Sequence, residues 1–376
     1  MIQGNTATLD RTTMLDSIES AISDIHAGKV VIVVDDEDRE NEGDFICAAQ
    51  CVTPEIINFM ATHGRGLICA PLDEKRADEL KLQMMVRENT ALHETAFTVS
   101  IDLIGHGCTT GISAHDRATG IRALVNQDIK SEHFARPGHI FPLRAKSGGV
   151  LRRSGHTEAA IDLARLAGYY PAGVLVEILN EDGSMARLPQ LKEIAKKHDL
   201  RIISIQDLIA YRMERERIIE RMPEYHISNR YGDWEVIPFR QLTNDDIHLA
   251  LVKGDPSKQE SSLVRVHSMS RTGDLLGLIF GYTGTEIDNA LSMIAKENNG
   301  VFLLMRHSEA PDNVIEVIKS YAGHGDPISA SQRDIGVGAQ ILRELGVSKM
   351  KLLTNHAIQR VGLIGFGLEI VENIKI

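Results

Sequence analysis

After Cys108 the chain has no cysteine: its four, Cys47, Cys51, Cys69 and Cys108, fall in the first third of 376 residues. None stands in a paired CxxC spacing, so a structural zinc is not expected, and the simplest reading is reduced thiols, some of them buried. No apolar run approaches the roughly 18 residues that a membrane span needs. The opening stretch, MIQGNTATLDRTT, lacks the apolar centre of a signal peptide. A cytoplasmic protein without membrane contact is expected. Positive charge is also in short supply, with 41 Lys and Arg against 52 Asp and Glu and a formal net charge of −11. Nonspecific nucleic-acid binding is therefore disfavoured, because no surplus of cations can replace counterions. What remains is an ordinary globular composition, 43% hydrophobic and 25% charged, on a chain long enough for two domains.

Charge is unevenly spread. VVIVVDDEDRENEGD, residues 30–44, runs from five apolar residues into seven acids and one arginine. Neighbouring carboxylates raise one another's pKa unless a cation neutralises them. Either water solvates this loop, or it holds a cation such as Mg²⁺, or, through Arg39, a polar anionic substrate. The segment from Arg117 to Arg153 is the opposite. Arg117, Arg122, Lys130, Arg136, Arg144, Lys146, Arg152 and Arg153 face only Asp128 and Glu132. It reads as an anion site or as solvated surface.

Hydrophobic periodicity places these segments. Helices are expected over 14–27, from Pro54 with Thr53 as cap, from about Ala114, over 157–169 and over 188–200. Strands are expected at 30–34, 44–50, 66–72, 95–104, 173–179 and 201–205. Residues 131–156, rich in Gly, Pro, His and Arg, read as one long loop of functional length. A charged helix over 205–222 ends the first domain. Beyond it, strands 262–268, 300–305 and 350–354 alternate with helices 285–298 and 336–346, an α/β signature. Three further features carry chemistry. RRSGHTEAA, residues 152–160, brings a Gly–His–Thr turn to a helix start, whose free N–H groups bind phosphate or are simply capped. Glu177 lies inside an apolar strand, where a carboxylate is costly without a partner. His139 sits in the long loop and says little alone.

Together, DDEDRENEGD, FTVSID, TTGIS followed by Asp116 and Arg117, RPGHIFPL, GHTEAAIDLA and the glutamate of VEIL occur in an order that resembles 3,4-dihydroxy-2-butanone 4-phosphate synthase, over roughly residues 10–212. The resemblance implies an α+β first domain with a layered mixed sheet and helices. It implies a lyase of riboflavin biosynthesis that converts ribulose 5-phosphate to formate and 3,4-dihydroxy-2-butanone 4-phosphate, and requires Mg²⁺. It places Glu40 and His156 as metal ligands. A histidine on Mg²⁺ is less usual than oxygen, so Mn²⁺ is an alternative. It places Arg39, Glu40, Asp44, Thr110, Arg153, Ser154, Gly155, Thr157 and Glu177 against the substrate, the 153–157 turn near its phosphate. It assigns proton transfer to His139 and Glu177, with Glu42 nearby. A homodimer is implied.

The second half, from residue 209 to 376, is similar to GTP cyclohydrolase II through VRVHS, TGDLLG, GAQILRELGV, KLLTN and GLEIVE, which implies an α/β domain of that type. That family holds zinc with three cysteines. The matching positions here are Ser270, Gly281 and Thr283, and neither serine nor glycine replaces a thiolate. Its general-base aspartate matches Ser331, while Arg333 remains. RHSEAP and TNHAIQ, with Gln359 at a lysine position, stand where nucleotide-gripping motifs are expected. No zinc and no cyclohydrolase activity are expected, leaving this domain a structural or regulatory role. The alternatives are a bifunctional enzyme, a regulatory protein inactive in both halves, and an unrelated metal-dependent aldolase or isomerase.

Overall fold

The computed structural model describes residues 15–35, 39–87, 89–90, 95–269, 284–306, 332–355 and 367–376. The chain divides into two units, residues 1–209 and 210–376.

In the first unit the apolar strand β1 (Val31–Val34) is fully buried, as its β-branched run predicts. It pairs antiparallel with β2 (Gly43–Ala48). Helix α1 (Ile18–His26) precedes them and is capped by Ser17. Helix α2 (Pro54–His63) opens with Thr53 accepting the Ile56 N–H, as the sequence predicts. There follow β3 (Cys69–Leu72), α3 (Glu74–Glu79), β4 (Ile101–Leu103) and α4 (Ala114–Leu124). The strand expected over 95–104 is thus confined to its last residues.

The larger departure is β5 (Phe134–Arg144), an eleven-residue strand inside the segment read as a loop. It runs parallel to β3 and antiparallel to β4. Pro137, Gly138 and Pro142 hide it, because such residues usually punctuate strands. Helix α5 (His156–Leu166), strand β6 (Gly173–Glu177), helix α6 (Leu188–His198) and strand β7 (Ile202–Ser204) follow, and helix α7 (Ile205–Arg215) begins in this unit and ends in the next. The charged helix expected to reach residue 222 stops at Arg215, and Ile219–Arg221 is a strand.

The sheet order is β4-β5-β3-β6-β2-β1-β7, with parallel pairs at β3–β5 and β1–β7, a mixed sheet as expected. Val30, Ile32, Val34, Phe45, Cys47, Val174 and Val176 share one core with Ile57 and Met60 of α2. The alternate residues Val31, Val33, Ile46 and Leu175 are equally buried, on the side where α5 crosses β2, β6 and β3. Each such side chain stabilises the fold by about 1.5–3 kcal/mol. Asp44 and Glu177 lie on this α5 side, at the end of the sheet where the strands open.

The second unit begins with strands the sequence reading missed. These are β8 (Ile219–Arg221), β9 (Tyr225–Asn229), β10 (Gly232–Gln241) and β11 (Ile247–Lys253), paired antiparallel around β10. Then β12 (Ser262–Met269), β13 (Gly300–Arg306), β14 (Lys349–Leu353) and β15 (Glu369–Ile374) add a parallel portion. Helices Gly284–Glu297 and Gln332–Glu344 alternate with these, as expected. Trp234, the only tryptophan, packs with Leu263, Ile294, Phe302 and Leu353.

Candidate active site

The acidic loop leaves β1 at Asp35 and returns at Gly43; Asp36, Glu37 and Asp38 lie outside the described residues. Asp35 holds the loop closed. Its carboxylate accepts the N–H of Glu42 at 2.8 Å, the N–H of Glu40 at 3.2 Å and Arg39 Nη1 at 2.7 Å. Arg39 Nη1 also lies 2.8 Å from Glu40 Oε2. Arg187, which precedes α6, donates to the Glu40 carbonyl at 2.8 Å and to the Asn41 carbonyl.

His156, the first residue of α5, is buried beside this loop. Its Nε2 lies 3.1 Å from the Val33 carbonyl, so Nε2–H donates and Nδ1 keeps its lone pair in the neutral ring. Nδ1 faces Glu40 Oε2 at 3.8 Å and Asp44 Oδ1 at 4.0 Å. Candidate ligand atoms of Asp35, Glu40 and His156 all lie within 4.8 Å of one another. The interaction with His156 pulls the Glu40 carboxyl down to about 2, against the effect of burial and with help from Arg39. Burial works against the His156 imidazolium, but Asp44, Glu40 and Asp35 outweigh it and raise it to about 9.

Asp44 pairs in register with Glu177 across β2 and β6. It is almost wholly buried, its Oδ1 has no hydrogen-bond partner, and burial raises its carboxyl to about 7. Burial also raises the Glu42 carboxyl. Glu177 Oε2 accepts the Leu67 N–H at 2.9 Å. Gly66 allows that approach, because a Cβ there would lie 2.5 Å from Glu177 Oε2. Desolvated carboxylates, an orphaned carboxylate oxygen and one imidazole lone pair form a donor set that fits a hard divalent cation.

The turn before α5 leaves the helix start without a side-chain cap. Gly155 is the N-cap and makes no side-chain hydrogen bond, so no capping side chain meets the positive end of the helix dipole. Ser154 is half-buried and Thr157 buried. Arg153 is not a loose cation. Its Nη1 lies 2.8 Å from the buried Glu158, which also accepts the Lys146 N–H at 3.0 Å.

His139 and Thr110 stand apart from this cluster. Phe141 pairs with Cys69 and Cys69 with Leu175. Two residues further toward the same end lie His139 and Glu177, two strands and so roughly 10 Å apart. His139 is exposed and bound to Asp102, and Thr110 is exposed in a neighbouring turn.

In the second unit, Ser270, Gly281, Thr283, Ser331 and Gln359 lie outside the described residues, as does the Arg333 side chain and most of TGDLLG, RHSEAP and TNHAIQ. Among the described residues, Arg265 Nη2 meets Glu286 at 2.9 Å, and Asn355 donates to the same carboxylate at 2.8 Å. All four cysteines are free thiols of the first unit.

The sequence model of the 3,4-dihydroxy-2-butanone 4-phosphate synthase family matches residues 19–211. The chain belongs to that family. A second family model, GTP cyclohydrolase II, matches residues 220–375. The riboflavin biosynthesis protein RibBA of Cytophaga hutchinsonii is 55% identical over 373 residues, 96% of this chain and 92% of that protein. RibBA of Parabacteroides distasonis is 52% identical with the same coverage. Among solved structures, RibBX of A. baumannii, described as a two-domain 3,4-dihydroxy-2-butanone 4-phosphate synthase, is 44% identical with a TM-score of 0.79 and covers 95% of this chain and 99% of that one. A 3,4-dihydroxy-2-butanone 4-phosphate synthase in complex with two magnesium ions is 43% identical, TM-score 0.52, over 54% of this chain and 98% of that one.

This member of the synthase family is thus an enzyme of riboflavin biosynthesis with two domains of the expected kinds. For the second domain, the family match and the full-length RibBA relatives favour the bifunctional alternative over an inactive domain. No helix among the described residues is long and apolar enough to cross a membrane. Three residues at the site escaped the sequence reading. Asp35 was legible as part of the acidic run. Asp102 and Arg187 were not, because only the fold brings them to His139 and Glu40.

Proposed function

We propose that residues 1–208 form a domain that converts D-ribulose 5-phosphate to formate and L-3,4-dihydroxy-2-butanone 4-phosphate. The observation that carries this reading is the approach of His156 Nδ1 to Glu40 and to the orphaned, buried Asp44 at the start of an uncapped helix. Glu40 and His156 hold Mg²⁺ or Mn²⁺. When bound, the ion supplies Lewis-acid stabilisation of negative charge on substrate oxygens. The chain's own residues bind and move protons. Arg153, Ser154, Gly155 and Thr157 receive the phosphate at the α5 N-terminus, and Glu158 keeps the Arg153 guanidinium in place. Arg39, Asp44 and Thr110 orient the hydroxyls. Glu177 exchanges a proton at Oε1, since Oε2 is committed to the Leu67 N–H. His139 exchanges one at Nε2. Residues are shared across a homodimer.

Replacement of Glu40 or His156 by alanine is expected to abolish formate release from ribulose 5-phosphate, and EDTA to abolish it in the unaltered protein. Near wild-type turnover by either variant overturns the metal assignment. A five-carbon product without formate makes the protein an isomerase instead.

For residues 209–376 we propose a domain without GTP cyclohydrolase II activity, acting in support or regulation. The absence of cysteine after Cys108 supports this, because zinc then lacks the thiolates that the resemblance requires. The bifunctional reading has its own support, the GTP cyclohydrolase II match over 220–375 and the RibBA relatives. Incubation with GTP decides between them. No formate and no stoichiometric zinc are expected, and formate release with zinc bound establishes the bifunctional enzyme.

A further inference from the structure

We propose that Asp102 is a positioning residue for His139. It fixes the ring so that Nε2, and not Nδ1, exchanges protons with substrate. The inference rests on the synthase reading above.

Both oxygens of Asp102 are committed to this one residue. Oδ1 accepts the His139 backbone N–H at 2.9 Å, and Oδ2 lies 2.7 Å from His139 Nδ1. A carboxylate accepts only, so Nδ1 carries the proton and the lone pair of the neutral ring sits on Nε2. The His139 side chain is 45% exposed while that of Asp102 is 17% exposed, so the ring rests on a mostly buried carboxylate and keeps open surface for a substrate. The backbone is shaped around this contact. The β4–β5 pairing loses register between Ile101 and Asp102, an irregularity of the kind that re-aims a side chain. Gly138 permits it, since a Cβ there would lie 2.1 Å from the Ile101 carbonyl carbon and 2.4 Å from the Asp102 nitrogen. Ser100 Oγ accepts the Gly138 N–H at 3.1 Å.

The opposite side of the carboxylate is closed by Gly111, whose φ is +91° and whose missing Cβ would fall 2.1 Å from Asp102 Oδ2. Asp116 Oδ2 holds that turn down. It accepts Thr109 N–H at 3.1 Å, Thr109 Oγ1 at 3.0 Å and Gly111 N–H at 2.9 Å. The run TTGIS followed by Asp116 thus has a physical task, to seat a glycine against Asp102 and present Thr110 beside it.

The test is Asp102→Asn with ¹⁵N NMR of the His139 ring. The asparagine oxygen still accepts the His139 N–H, but its amide turns N–H toward Nδ1 and drives the ring proton to Nε2. In the unaltered protein the neutral ring is expected to be protonated at Nδ1, and in Asp102→Asn at Nε2. The kcat for formate release is expected to fall about 100-fold or more, with KM for ribulose 5-phosphate little changed. In a His139→Ala background, Asp102→Asn is expected to add no further loss. A ring protonated at Nε2 in the unaltered protein overturns the proposal, and that measurement needs no variant to fold. Unchanged kcat in Asp102→Asn also overturns it. Full formate release by His139→Ala instead sinks the role of His139 in the synthase reading, while the NMR result still decides how Asp102 holds the ring.

Discussion

His156 and Glu40 are more than a hundred residues apart in sequence, yet their charges set each other's protonation. Glu40, lowered to about 2 from 4.5, contributes stability that is present above pH 4.5 and lost as pH falls through 2. His156, raised to about 9 from 6.5, contributes stability that is complete below pH 6.5 and lost as pH rises through 9. A divalent ion needs the Nδ1 lone pair, so it must displace this proton. Apparent Mg²⁺ affinity is therefore expected to rise with pH up to about 9, with protons released on binding. Calorimetry in buffers of different ionisation enthalpy measures that release. Binding that is independent of pH between 6 and 8 rules out His156 as a ligand. The acidic run and the Gly–His–Thr turn were both legible as candidate sites in the sequence. Their approach to 3.8 Å was not, because it depends on α5 crossing the sheet.

At the scale of elements, one buried cation ties helix α3 to the end of α4. Arg76 is 1% exposed. Its Nε donates to the Leu124 carbonyl at 2.7 Å, and Nη2 to the carbonyls of Asn126 and Ile129 at 2.6 and 2.9 Å. Nη1 meets Glu79 at 3.1 Å. Methionine fills similar space but leaves these carbonyls buried without donors. Arg76→Met is expected to cost about 3 kcal/mol or more, a fall in melting temperature of roughly 6–12 °C. A melting temperature within about 2 °C of the unaltered protein removes Arg76 from this role. Helices with caps and clean periodicity, such as α2 and α5, were readable in advance. Strand β5 was not. Its Pro and Gly residues break the alternation, and its strand character comes from pairing with β3 and β4 rather than from local preference. The antiparallel run β8–β11 went unread for a related reason, since a helix expected to reach 222 covered its beginning.

At the scale of the whole chain, the main buried hydrophobic cluster of the first unit is drawn, among the described residues, from residues 30–202. A chain ending after residue 212 is therefore expected to fold, to sediment as a dimer and to release formate at an undiminished rate. Analytical ultracentrifugation with the formate assay checks this. An unfolded or monomeric product assigns the second domain a supporting role, and a full-rate dimer leaves regulation as its task. The resemblances on either side place the division at residue 209, and the change in pattern places it only within 205–222. The order of strands within each sheet was not legible, because pairing between distant strands leaves no local trace.

By itself the sequence determined which residue types could carry chemistry: an acidic loop with one arginine, a histidine at a helix start, a glutamate in an apolar strand, and no thiolate beyond Cys108. These follow from composition and spacing, which are local. Only the tertiary structure decided that Asp35 braces the loop, that Arg187 holds its carbonyls, and that Asp102 fixes the face His139 offers. Such contacts join residues from separate strands and helices, and their energies exist only once burial has excluded water and the sheet has set the register.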